Sequence, residues 1–235
     1  MGSDGQPEHG VAGWRGNRRA RVVLAGALVV AGLCVVAAWQ VEASAARHVI
    51  YSGPGPDALA LGPGGRTLYI ADWGKRGFWT RNGHVVIPVS VASGALGKPI
   101  PVGNQPAAEL MTPDGKTLYV AAVGPGWGPT RGFAPVTPVN VRTGRPGAPI
   151  RVAHDPDALA VTPDGRTLYI ADGGGNTVIP VSVKTGRPGR PIKAGAVPTA
   201  LAITPDGQTL YVASPRTNTV TPVSVASGKP GTRSS

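Results

Sequence analysis

Four times along the chain the same order of apolar and polar positions recurs. Its first copy opens with a nearly continuous apolar run, Ala58-Leu-Ala-Leu61, the pattern of a strand buried on both faces. A turn follows, written Thr-Pro-Asp-Gly in the later copies, in which Pro presets φ and Gly accepts a positive one. Then comes Thr67-Leu-Tyr-Ile-Ala71, and after a connection the alternating run Val85-Val-Ile-Pro-Val-Ser-Val91. These runs predict strands A, B and C of one unit. The Pro inside strand C lacks a ladder donor, which predicts a gap or bulge there. A short strand D follows a Gly-rich turn in three copies: Pro99 to Val102, Pro149 to Val152 and Pro191 to Lys193.

The segment Pro56–Asp72 returns as Pro106–Ala122, Pro156–Asp172 and Pro198–Ser214, with starts 50, 50 and 42 residues apart. Short antiparallel strands at this period predict an all-β fold, a β-propeller of four four-stranded repeats. The repeats run 56–105, 106–155, 156–197 and 198–231 within a domain spanning 47–231, leaving 232–235 as a tail. The fourth copy reaches Gly228-Lys-Pro-Gly231 without a strand D. His48-Val-Ile-Tyr51 precedes the first copy where such a strand belongs, so 48–51 is a candidate closing strand. Closure within one chain, a ring made with a second copy (a homodimer), and an open arc all fit this count.

The runs Tyr69-Ile-Ala-Asp72, Tyr119-Val-Ala-Ala122, Tyr169-Ile-Ala-Asp172 and Tyr211-Val-Ala-Ser214 resemble the Tyr-Val-Thr-Asn signature of the YVTN propeller repeats. The preceding Pro-Asp-Gly-x-Thr-Leu matches the same pattern. The resemblance implies a propeller. It leaves function open, because such repeats occur in surface, periplasmic and enzymatic proteins of the lactonase-like superfamily alike. The family's propellers carry more blades than the four copies counted here.

Composition agrees with the repeat reading. The 235 residues include 35 Gly and 25 Pro, too many helix breakers for a helical bundle. Gly has no period of three, which excludes collagen, and the single Cys34 excludes a disulfide scaffold. A hydrophobic share of 41% is enough for a core.

The N-terminus has a different character. Residues 1–21 are polar and carry Arg15, Arg18, Arg19 and Arg21. Val22–Trp39 is an uncharged run of 18 residues, and Ala43-Ser-Ala45 follows it. A basic segment, an apolar run and a small-residue site mark an export signal, so 22–41 is expected to be a hydrophobic helix. It serves either as a signal peptide cleaved after Ala45 or as a single-pass anchor with its N-terminus inside. Both readings place residues 46–235 outside the cytoplasm, at the cell membrane or secreted.

Chemistry concentrates in two places. The B–C connection is four residues in copies three and four, but copies one and two each insert eight more. All three Trp and both Phe of residues 46–235 lie in these insertions: Trp73, Phe78 and Trp79 in one, Trp127 and Phe133 in the other. Arg76, Arg81, His84 and Arg131 accompany them. Aromatic rings beside guanidinium groups suit a binding surface for a surface ligand or protein; the competing expectation is that the rings pack on one another to stabilise long Gly-rich loops.

The second place is the acidic set near the same rim: Asp57, Asp72, Glu109, Asp155, Asp157 and Asp172, with His154. Lactonase-type propellers use such a ring to bind a cation, and Asp57, Asp155 and Asp157 are the metal candidates here. The spacing matches no metal motif, and the ordinary role for such residues is capping and turn bonding. No nucleophile elbow, zinc-protease motif, phosphate loop or Cys–His pair is present. No cofactor is expected.

Residues 46–235 carry 19 Lys+Arg against 9 Asp+Glu, with many of the bases beside C–D turns. These bases have no aromatic neighbours, which argues against nucleic acid. Anionic lipid or wall polymer is the expected partner of that rim, and solubilising charge its plainer explanation. The sequence thus predicts a non-catalytic binding or scaffolding propeller at the cell surface. Its alternatives are a lactonase-like hydrolase or lyase using an acidic channel, and a truncated propeller with no separate activity.

Overall fold

The computed structural model describes residues 49–50, 55–72, 84–122 and 134–231, all within one compact unit. The hydrophobic segment 22–41, the basic segment before it and the tail 232–235 lie outside the described residues. Among those described, no helix is long and apolar enough to cross a membrane.

The fold is all-β, with four antiparallel sheets in a propeller-like arrangement. The first sheet contains β1 (Pro56–Leu61), β2 (Thr67–Asp72), β3 (Val85–Ser90) and β4 (Ile100–Pro101) in that order. The second contains β5 (Pro106–Met111), β6 (Thr117–Ala122), β7 (Ala134–Asn140) and two short outer strands on β7, β8 (Arg145–Pro146) and β9 (Ile150–Ala153). The third contains β10 (Pro156–Val161), β11 (Thr167–Asp172) and β12 (Thr177–Ser182). The fourth contains β13 (Ala200–Ile203), β14 (Thr209–Ser214) and β15 (Thr219–Ser224). The inner strands β1, β5, β10 and β13 lie side by side in chain order.

The expected four strands are therefore met in the first sheet, where β4 is strand D, and in the second, where β9 is strand D beside the extra pairing of β8. In the third, strand D is reduced to the bridge Val178↔Ile192, in which each residue donates its amide to the other's carbonyl. Pro191 stands directly before Ile192 and has no amide hydrogen to extend the ladder on that side.

The strand-C prolines also behave differently from expectation. Pro88, Pro138, Pro180 and Pro222 sit opposite Tyr69, Tyr119, Tyr169 and Tyr211 in unbroken register. Each proline carbonyl accepts the amide of a C–D turn glycine (Gly97, Gly147, Gly189 or Gly231) on the outer side. The missing donor faces that same outer edge, so no ladder bond is lost and no bulge is needed. The irregularities fall in strand A, at Pro56/Ala58, Pro106/Ala108 and Pro156/Ala158, and at Ala134/Pro135 of β7, where it pairs with β9.

Turn chemistry follows the sequence closely. Asp114, Asp164 and Asp206 each accept the hydroxyl of the Thr two residues before and the amide two residues after. These bonds hold all three carboxylates below their ordinary range; for Asp114 the Lys116 amide is the main cause, for the other two the Thr hydroxyl. The first copy has Gly62 and Gly64 in place of Thr and Asp, and turns through a short 3₁₀ segment with Gly64 at φ 68°.

The core lies between sheets, where the Tyr-bearing face of one packs on the Leu-bearing face of the next. Tyr119, Val136 and Ala153 of the second sheet, for example, meet Leu168, Ile170 and Val181 of the third.

Candidate functional site

Strand ends place the chemistry. The B–C connections all leave from one end of the sheets, where β2 ends at Asp72 and β3 resumes opposite it at Val85. In the second sheet the corresponding stem is Ala121 opposite Val136. The two sheets pack directly, with Tyr69, Val86 and Val102 of the first against Leu118, Val120 and Val139 of the second. The two long connections therefore rise from neighbouring stems at one rim. Trp73, Arg76, Phe78, Trp79, Arg81, Trp127, Arg131 and Phe133 lie in those connections, outside the described residues.

His84 is described, and it has structural work. Its Nδ1 accepts the amide of Gln105, at 3.2 Å, which fixes the ring proton of the neutral imidazole on Nε2. Gln105 holds a positive φ of 52° just before the Pro that opens β5. The third sheet repeats the device with other residues. Asn176 Oδ1 accepts the amide of Val197, at 2.9 Å, and Val197 has φ 53° before Pro198. His84 and Asn176 both stand immediately before strand C. His84 thus clamps its B–C stem to the following D–A connection, a role sequence reading missed. The missing signal is a contact across 21 residues.

The acidic set separates into parts. Asp172 is 2% exposed, and its Oδ1 accepts the amides of His154, Asp155 and Gly175 at 3.0–3.1 Å. His154 Nδ1 lies 3.3 Å from its other oxygen. One carboxylate thereby ties the D–A connection to the B–C turn. Gly175 is needed here, because a Cβ would run into the Asp172 carboxylate that the three amides hold in place. Asp155 is drawn into the group, and burial followed by the Asp172 charge raises its pKa. Asp157 is pushed up to about 6 by desolvation and then by Asp155 and Asp172.

Asp57 sits on β1 of the first sheet and is not among the charges acting on that group. Among the described residues no three His, Cys, Asp or Glu side chains are placed to hold a metal ion together. Asp155 and Asp157 lie near each other, around a carboxylate already occupied by backbone amides.

Glu109 stands alone. It occupies the β5 position that is Leu59, Leu159 and Leu201 in the other copies. Both carboxylate oxygens are buried without a hydrogen-bond partner. Burial pushes its pKa up to about 8, and its charge adds to burial in raising that of Tyr69, which places it against the seam with the first sheet.

At the rim of the C–D turns, a cleft of about 580 Å³ opens between the third and fourth sheets. Arg190, Lys193 and Lys229 line it beside Tyr169 and Ile192. Part of the expected basic rim is thus concave.

No family model and no curated protein match the chain. Solved structures do. Hydrazine synthase of Kuenenia stuttgartiensis matches with TM-score 0.63 and 26% identity over 79% of this chain and 50% of that one. A chain from Bacteroides uniformis, provisionally assigned as a 6-phosphogluconolactonase, gives TM-score 0.58 and 15% identity over 75% and 52%. A functionally unknown protein from Desulfotomaculum acetoxidans gives 0.60 and 14% over 74% and 52%. The chain spans about half the length of the chains it matches.

Proposed function

We propose that this chain is an exported binding module, a YVTN-type propeller that presents the two long B–C connections at the cell surface. The observation that carries this reading is the pairing of stems. The only connections that contain Trp or Phe within residues 46–235 leave from adjacent sheets at one rim. His84 braces the first stem against its neighbour, which fixes where that connection starts. Rigid stems carrying aromatic and guanidinium groups suit recognition, because the anchors lose little freedom on binding. The basic cleft at the opposite rim suits an anionic lipid headgroup or wall polymer, which would hold the module against the envelope. The hydrolase reading draws less support, since Asp172, at the centre of the acidic group, is spent on loop closure.

Trp79→Ala with Trp127→Ala tests the proposal. Retention of the chain by isolated cell envelopes is expected to fall at least tenfold, while its melting temperature stays within about 2 °C of wild type. Unchanged retention with a clearly lower melting temperature would identify the rings as loop packing.

A further inference from the structure

The three internal seams share one design, and the two ends of the array carry its unmatched halves. Each forward face presents the strand-B Tyr, the strand-C Val and the apolar residues after strand C. In the third sheet these are Tyr169, Val178, Ile192 and Ala194, packed on Leu210, Val212 and Val223 of the fourth. On the fourth sheet the same face is bare. Tyr211 is 43% exposed, whereas Tyr69, Tyr119 and Tyr169 are 3–5% exposed. Val220 is 66% exposed, whereas Val86, Val136 and Val178 are all 0%. Among the described residues this sheet has no strand D.

The first sheet carries the complement. Its backward face presents Leu68, Ile70 and Val89, and Ile50 packs on it. Ile50 precedes Ile100 by one repeat length. Ile100 belongs to strand D of the first sheet and covers the backward face of the second. Ile50 therefore occupies, on the first sheet, the place of a strand D from a preceding sheet. Val49 and Ile50 pair with no strand among the described residues, and Val49 is 78% exposed. Leu59 and Leu61 of β1 are 62% and 57% exposed on the same sheet. Among the described residues, one end thus holds a fourth strand without its sheet, and the other a sheet without its fourth strand.

We propose that a second copy of this chain fills both vacancies. The fourth sheet of one copy docks on the first sheet of the other, and residues 49–50 add to β15 as its strand D. The register follows from the repeats: Val86 pairs with Ile100, Val136 with Ile150 and Val178 with Ile192. Ile50 of one copy therefore stands opposite Val220 of the other. Because the two faces differ, the contact is head-to-tail, and two copies close a ring about a twofold axis. Leaving the ends open would expose apolar surface of the kind terminal repeats normally cover.

The test uses the full chain in detergent micelles with Cys34→Ser. Ile50→Cys and Val220→Cys are made as separate proteins, mixed and oxidised. Opposed strand residues lie about 5.5 Å apart between Cα atoms, within disulfide reach. A disulfide-linked pair is expected in the mixture and with neither protein alone. Light scattering on the uncrosslinked chain is expected to give twice the chain mass, and Val220→Asp, at an exposed position that tolerates it, to give the single mass. A single mass for the unsubstituted chain would overturn the proposal. So would a link that forms only within one chain carrying both cysteines, or a doubled mass unaffected by Val220→Asp.

Discussion

Glu109→Leu is expected to stabilise the propeller by several kcal/mol at pH 8, and by clearly less at pH 5. The folded chain holds the Glu109 proton up to about pH 8, because the carboxyl is buried with neither oxygen paired. The unfolded chain releases that proton near 4.5, the ordinary value. Between these values the folded state binds more protons than the unfolded one, so this group's contribution to stability falls as pH rises through the window. At 1.36 kcal/mol for each pKa unit, the loss from pH 5 to 8 is about 3 kcal/mol. Leu stands at this position in the other three copies, so the replacement fits the strand and removes the pH-dependent loss. Urea unfolding of residues 46–235 at both values, wild type against variant, measures the difference. A gap that does not widen with pH would mean that the carboxylate has a partner or reaches water.

Leu168→Ala is expected to cost about 3–5 kcal/mol, since the side chain is fully buried at the second seam and leaves a cavity between two sheets. Leu118→Ala and Leu210→Ala remove the equivalent side chain at the other two internal seams, where Leu is also 0% exposed, and are expected to cost similar amounts. Equal costs would show that the seams are energetically one design. A cost below about 1 kcal/mol at any of them would show that its two sheets do not pack as described.

The parts of the fold that are local in sequence were legible there. Apolar runs marked strands A and B and alternation marked strand C, and the Thr-Pro-Asp-Gly turns form with the bonds their residues allow. Strand D forms in the first two copies as the repeat implies, and in the third it shrinks to the single bridge at Ile192. The strand-C prolines needed knowledge of which side faces the outer edge, and that depends on pairing. His84 was legible as an unusual residue but not as a clamp, since its partner Gln105 comes close only once two connections fold together. Asp172 likewise looked like one carboxylate among several until three amides converged on it. Glu109 left a readable signal, an acid where three copies have Leu, yet its isolation follows only from packing between sheets. The closing role of 48–51 turned on space rather than spacing. Ile50 covers the first sheet, while the face it would complete belongs to the fourth.

The proposed function requires the tryptophans of the two B–C connections to be presented at one rim as a recognition surface. With Trp14→Phe and Trp39→Phe, the only tryptophans left are Trp73, Trp79 and Trp127. Acrylamide quenching of that protein therefore reads the two B–C connections alone. Ready quenching in the free chain, and protection when isolated cell envelopes are added, is the predicted result. Emission that acrylamide cannot reach in the free chain, and that envelopes leave unchanged, would contradict the account.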